Sequence, residues 1–183
     1  MKLEKIEKHT NTKYLNFYTA KYVGEKNIDY HFASRRKDDS LQKADICDAV
    51  RILPYIKETD EIVFIKNFRY TLNTYVYELP AGLVEPDEDR LTAAKRELAE
   101  ETGATVLTIE KVLDCSFTSA GMSDETIEMY VAQVSMSGNQ QLDETEDIEI
   151  VKVKVSQLDQ FLSTHTMCTG SALLAKYFVA TLK

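Results

Sequence analysis

Residues 88–102, EDRLTAAKRELAEET, form an unbroken run of strong helix formers, and Gly103 follows where a left-handed cap would end a helix. Leu91, Ala94 and Leu98 give this segment an apolar stripe. Strand patterns lie on both sides. Residues 14–23 and 28–34 alternate around a turn at 24–27 and read as a hairpin. Residues 48–56 and 61–68 follow, joined by a charged turn, and then a strand at 75–79 and a loop at 80–87. Beyond the helix, strands are expected at 105–117, 126–134 and 148–155, and helices at 156–162 and 171–182. The polar stretch 35–45 separates an N-terminal β unit, residues 1–43, from the main domain, residues 44–183.

The chain has 183 residues, 44% of them apolar, enough for one soluble domain with a small appendage. With 22 Lys and Arg against 30 Asp and Glu, the net charge of -8 argues against a nucleic-acid partner. Residues 1–36 run the other way, with eight basic and four acidic side chains. No stretch is long and apolar enough for a membrane helix, and the N-terminus has no signal-peptide core, so the expected location is the cytoplasm, with no membrane partner. Cys47, Cys115 and Cys168 are odd in number and widely spaced, which suits packing residues or idle thiols. His9, His31 and His165 have no metal-binding spacing and read as structural or surface residues.

On the central helix Glu97, Glu100 and Glu101 fall at i, i+3 and i+4, so three carboxylates project from one side within about one turn. Alone, such a row is an ordinary solvated face. Crowded carboxylates repel unless a cation lies between them, and carboxylate and carbonyl oxygens are what Mg²⁺ or Mn²⁺ prefers.

The order Gly82, five residues, Glu88, seven residues, then Arg96-Glu97-Leu98-Ala99-Glu100-Glu101-Thr102-Gly103 resembles the Nudix box at each defined position. ELPAG at 78–82, SAGMSDE at 119–125 and FASRRK at 32–37 resemble the ADP-ribose pyrophosphatase branch of that family. The resemblance implies an α/β fold, an α/β/α sandwich with a mixed sheet, preceded by a small antiparallel β unit that pairs with a second copy in a homodimer. It implies metal binding by the Ala81 carbonyl, Glu97 and Glu101, with Glu100 completing the cluster, and Arg96 orienting the catalytic glutamates. Glu88 has two open roles, a favourable charge at the helix start or a direct contact to metal.

The implied reaction is hydrolysis of a nucleoside diphosphate sugar, ADP-ribose or a relative, to AMP (or the corresponding nucleoside monophosphate) and a sugar phosphate, with a divalent ion activating water. The branch carries its general base on a loop after the box. In the acidic stretch LDETEDIE at 142–149 that place falls on Glu146, with Glu144 the alternative. By the same resemblance Tyr14 and Tyr30 stack the adenine, and Arg35 and Arg69 contact the substrate. One position departs: Ala120 stands where the branch carries proline, leaving the loop to turn at Gly121 and leaving other nucleotide sugars open. Two further readings are a nucleoside triphosphate pyrophosphohydrolase, which the extra N-terminal unit and ELPAG disfavour, and a non-catalytic sensing module, which the complete set of box glutamates disfavours.

Overall fold

In the computed structural model, which describes residues 1–38 and 46–182, the first strand is one the sequence pattern conceals. Lys2–Lys8 (β1) is mostly charged, yet it pairs antiparallel with Asn16–Val23 (β2), which pairs in turn with Ile28–Ser34 (β3). The expected hairpin is present as β2 and β3. Ile6, Tyr18, Ala20 and Phe32 bury one face of this three-stranded sheet, and Leu3 and Tyr22 pack beside them. Leu3 and Ile6 are the only apolar positions in β1, and a register shift between Leu3 and Lys5 brings both to that face.

By internal contacts these strands belong to a unit comprising Met1–Asp48 and Cys115–Ile127, while Ala49–Asp114 and Glu128–Lys183 form a second unit. The first unit thus includes a segment far along the chain, which a division at one point in the sequence does not capture. The expected boundary between residues 43 and 44 lies outside the described residues. Within the first unit, residues 119–125 are fastened to β3: Ala33 N–H donates to the Met122 carbonyl, and Ser34 Oγ donates to Asp124.

The second unit is built on Ala49–Ile56 (β4) and Glu61–Arg69 (β5), both buried along most of their length. Thr74–Glu78 (β6) pairs with β5, and a three-residue strand, Ala81–Leu83 (β7), pairs with β4 inside what the sequence suggested was only a loop. After the helix Arg90–Thr102 (α1) come the long strands Ala104–Phe117 (β8) and Thr126–Met136 (β9), and then Ile148–Lys154 (β10). The sheet is mixed and seven-stranded, in the order β10-β5-β4-β9-β8, with β6 and β7 off this path. A 3₁₀ turn, Val155–Gln157, leads into Leu158–Thr164 (α2), and Thr169–Thr181 (α3) ends the chain. The C-terminal helices therefore begin two residues to either side of where the pattern put them.

Alternation along β4 explains the layers. Val50, Ile52 and Ile56 face a core completed by Ala93, Ala94 and Leu98 of α1. Leu53 faces the opposite core, where Leu158 and Phe161 of α2 and Leu174, Ala175 and Phe178 of α3 cover the sheet. A strand buried on both faces has to be apolar at nearly every position, which is why residues 49–56 read as a continuous apolar run. The result is the expected α/β/α sandwich.

The helix α1 starts at Arg90 rather than at Glu88, because Asp89 is its N-cap: the Asp89 carboxylate accepts from Leu91 N–H at 3.0 Å and Thr92 N–H at 3.1 Å. Its end is at the expected place. Gly103 has φ 66° and returns its N–H to the Ala99 carbonyl at 2.8 Å. A side chain there would also collide with the Gly138 carbonyl oxygen, 2.5 Å from an added Cβ. Leu98 is fully buried between α1 and the sheet and is larger than Ala93 and Ala94, which are buried beside it. Leu98→Ala is expected to lower the unfolding free energy by about 2–5 kcal/mol, measured by urea titration followed by circular dichroism.

Candidate active site

The chemistry-bearing face of α1 is organised by one guanidinium. Arg96 donates to Glu88 through Nε at 3.0 Å and Nη2 at 2.9 Å, a two-pronged grip. Its Nη1 donates to Glu97 at 2.8 Å and to Glu100 at 3.1 Å, and Nη2 also reaches the Leu83 carbonyl at 3.0 Å. Glu88 is therefore a clasp between the loop before the helix and Arg96, with a carboxyl held below its usual range chiefly by that hydrogen bond. The helix-end position is taken by Asp89, which caps the helix, and both Glu88 oxygens accept from Arg96.

Gly82 is required by contact. A Cβ built on it would lie 1.9 Å from Glu97 Cδ and 2.1 Å and 2.2 Å from the two carboxylate oxygens. The Glu97 carboxyl thus occupies the space that any other residue at 82 would fill. Glu101 lies deeper, 3% exposed, with Ala81 N–H donating to it at 3.0 Å. Burial pushes the Glu101 carboxyl well above the usual carboxylate range, and repulsion from Glu97, Glu146 and Glu78 adds to the shift. Burial raises Glu97 as well.

Glu101, Ala81 and Glu146 share the wall of a cleft of about 610 Å³ with Arg69 and residues of the β5–β6 turn. Glu146 sits in a tight turn, its carboxylate accepting from Asp143 N–H at 2.9 Å. The alternative base, Glu144, is not among the residues lining this cleft. Arg69 Nη2 lies 2.8 Å from Oε1 of the fully buried Glu78, an ion pair whose approach is too oblique for a well-formed hydrogen bond. Sequence reasoning missed Glu78 as a site residue; its place in ELPAG, a carboxylate in an otherwise strand-like segment, was the available signal.

The remaining candidates lie in the first unit. Tyr14 is 60% exposed with Lys13 Nζ 4.5 Å from its ring centroid. Tyr30 has an exposed ring, and its hydroxyl donates to the Gly121 carbonyl at 2.8 Å. Arg35 is held by Glu125, with Nε at 2.7 Å and Nη2 at 2.6 Å. The loop at Ala120 turns without proline, as Ser119 accepts from Met122 N–H at 2.8 Å and Ser123 N–H at 2.9 Å. Gly121 is not what permits the turn: it has no positive φ, and an added Cβ there meets nothing.

Among the described residues, no three His, Cys, Asp or Glu side chains are gathered as a ready-made metal cage. Arg96 holds oxygens of Glu97 and Glu100 instead. The donor set nonetheless fits a hard divalent cation, because it offers only oxygens and Glu101, almost fully buried, has a backbone N–H but, among the described residues, no cationic side chain donating to it. The room left by glycine at 82 brings Glu97 close to the same backbone.

The NUDIX domain family matches residues 45–173. The chain belongs to the Nudix family. Over 107 residues it is 34% identical to an ADP-ribose pyrophosphatase of Bacillus subtilis, a stretch covering 57% of this chain and 57% of that protein's length. Over 133 residues it is 30% identical to a methanol dehydrogenase activator of Bacillus methanolicus, covering 72% of this chain and 71% of that one. The crystal structure of an ADP compounds hydrolase superposes with a TM-score of 0.78 at 17% identity, over 99% of this chain and 92% of the other, which establishes the shared fold.

Gly82→Ala tests the contact at Glu97. The clashing atoms are the end of a flexible side chain, so the fold is expected to survive with a melting temperature within a few degrees of the parent. Glu97 is displaced, and Mn²⁺ affinity, read by electron paramagnetic resonance, is expected to fall at least about tenfold.

Proposed function

We propose that the protein is a divalent-cation-dependent hydrolase that cleaves the diphosphate of ADP-ribose or a related nucleoside diphosphate sugar into a nucleoside monophosphate and a sugar phosphate. The observation that carries this reading is the cleft in which Glu101, Glu146 and Arg69 meet: carboxylate oxygens for a cation beside one arginine for an anionic substrate. The similarity to an ADP-ribose pyrophosphatase supports the substrate class.

Glu97 and Glu101, with the Ala81 carbonyl and Glu100, would hold Mg²⁺ or Mn²⁺. Such an ion, when bound, lowers the pKa of a coordinated water and neutralises phosphate oxygens. Arg96 keeps the glutamates in place through the contacts described above and takes no proton at any stage, being a guanidinium whose charge three carboxylates reinforce. Glu146 accepts the proton of the attacking water; it lines the cleft, and Asp143 N–H engages only Oε2, which leaves Oε1 for that proton. Among the described residues Arg69 has one ion-pair partner, Glu78, which leaves the other donors of its fork for the substrate diphosphate.

Tyr14 and Tyr30 serve as stacking groups for the nucleobase, in a homodimer that supplies one of them from the second copy. The apolar side chains exposed on the first unit, Leu15, Phe17 and Ile28 among them, support pairing with that copy. Arg35, held by Glu125, acts on the substrate side of that unit. All three cysteines are free, which suits a reducing compartment such as the cytoplasm. No helix among the described residues is long and apolar enough to cross a membrane.

Purified protein with Mg²⁺ is expected to turn over ADP-ribose or another nucleotide sugar in a panel of ADP-ribose, ADP-glucose, GDP-mannose, NADH and a nucleoside triphosphate. Glu146→Gln is expected to lower kcat by about 10²–10⁴-fold with cation affinity retained, and unaltered turnover would exclude Glu146 as the base. Tyr14→Ala should raise KM for the nucleotide sugar while leaving kcat close to the parent value; an unchanged KM removes the stacking role. Light scattering at micromolar concentration should give the dimer mass.

A further inference from the structure

On β5 the side chains of Val63, Ile65, Asn67 and Arg69 point to one face of the sheet, the face on which Val63 packs in the core beneath α1. Along this row apolar residues give way to an amide and then a guanidinium as the strand leaves the core. Asn67 is 8% exposed, as buried as many core residues. Its backbone is paired on both sides, with Ile148 of β10 and Val76 of β6, so the side chain is not consumed in closing a turn or capping a helix. Among the described residues the Asn67 carboxamide has no hydrogen-bond partner, yet it lines the cleft that also holds Arg69, Glu101 and Glu146.

The polar atoms of the Asn67 amide are not sealed from solvent, so the amide opens on the cleft, where water or a bound ligand completes it. The chemistry of the wall narrows what that is. Tyr70, Thr71 and Thr145 line the same cleft and bring hydroxyls, whereas Arg69 is its sole cation. A phosphate would call for more cationic donors, and a divalent ion would sit with the carboxylates. A neutral group that both donates and accepts matches a sugar hydroxyl, which also does both.

We infer that Asn67 is a substrate-binding residue that hydrogen-bonds a hydroxyl of the sugar carried on the diphosphate, and so selects sugar-bearing substrates over nucleoside triphosphates. The inference rests on the reading of the chain as a nucleoside diphosphate sugar hydrolase. It differs in kind from the roles given to the glutamates, since Asn67 neither holds a cation nor moves a proton.

The test is calorimetric titration of the full chain, in Mg²⁺, with the two product halves, ribose 5-phosphate and AMP. Asn67→Leu is expected to weaken ribose 5-phosphate by about tenfold or more, the scale of a lost hydrogen bond to a desolvated partner, and to leave AMP unchanged. It is also expected to keep the melting temperature close to the parent value, because the Asn67 amide opens on the cleft and has no hydrogen bond to the rest of the described residues; a purely structural asparagine would show a clear fall. Asn67→Ala removes the amide without filling the cleft, and the same selective loss in that variant separates a missing hydrogen bond from blockage. Equal weakening of both products, weakening of AMP alone, or no change in either overturns the assignment. Absence of turnover of every nucleotide sugar by the parent protein instead marks failure of the underlying reading, and takes the Asn67 assignment with it. Parent turnover with unchanged ribose 5-phosphate binding in both variants marks failure of the Asn67 assignment alone.

Discussion

The grip of Glu88, Glu97, Glu100 and the Leu83 carbonyl on Arg96 is the contact that makes the rest of the site possible. Three carboxylates on one stretch of chain would repel strongly in so poorly solvated a place, and a fixed guanidinium with five donors is the side chain that can answer them together. The same contacts tie the residues between β7 and α1 to the helix. Because the donors of Arg96 are spent there, it gives none to Glu101, one turn away and almost fully buried. Glu101 retains a single backbone N–H from Ala81. The helix therefore has one satisfied side and one that is short of positive charge, and the second side is where a cation belongs.

Polar groups placed at strand positions that the core would fill with apolar side chains continue this theme. Glu78 is directly opposite Ile65 in the β5–β6 pair, and Asn67 is opposite Val76. Cross-strand partners share a face, so Glu78, Ile65, Asn67 and Arg69 lie together on the face toward α1. Burying a carboxylate there lowers stability. Leucine at either place would be the choice of a sequence selected only to fold. Local departures of this kind, grouped around one cleft, are the signature of residues kept for chemistry. Arg69 offsets part of the cost by pairing with Glu78, and that pairing also fixes which way its remaining donors are presented.

The sequence carried most of the helix and strand pattern because burial on both faces leaves an apolar run that is hard to mistake, as in residues 49–56. It carried the end of α1 because only glycine suits both the left-handed backbone and the close Gly138 carbonyl. Its start lies two residues further on than the run of helix formers, because Asp89 caps the helix and Glu88 belongs to the preceding loop. β1 was missed because its charged residues conceal two apolar ones whose alignment depends on a bulge. Asn67 and Glu78 were beyond reach for a different reason. Periodicity says that a strand has two faces but not which face meets the cleft, and that comes only from the pairing of β5 with β6 and β10. The segment Cys115–Ile127 likewise joins the N-terminal strands through contacts between residues some ninety positions apart, which no local pattern records.

The alanine at 120 shows how a missing signature residue can be replaced by contacts elsewhere. Proline in a turn acts mainly by restricting the unfolded chain, a gain of about 0.4–1 kcal/mol. Here four hydrogen bonds hold residues 121–125 against β3 and Arg35, the residue that follows it: Ala33 to Met122, Tyr30 to Gly121, Ser34 to Asp124 and Arg35 to Glu125. At about 0.5–1.5 kcal/mol each for neutral pairs, and more for the charged one, they outweigh what the ring would contribute. The loop keeps its shape, but at a cost in freedom: the Tyr30 hydroxyl and the Arg35 guanidinium are already engaged. Tyr30 can then offer a substrate its ring face and not its hydroxyl, and Arg35 acts as a strut that sets the loop before it acts on any ligand. On the proposed function, discrimination among nucleotide sugars would then fall to groups that open on the cleft without an internal hydrogen bond, the Asn67 amide among them.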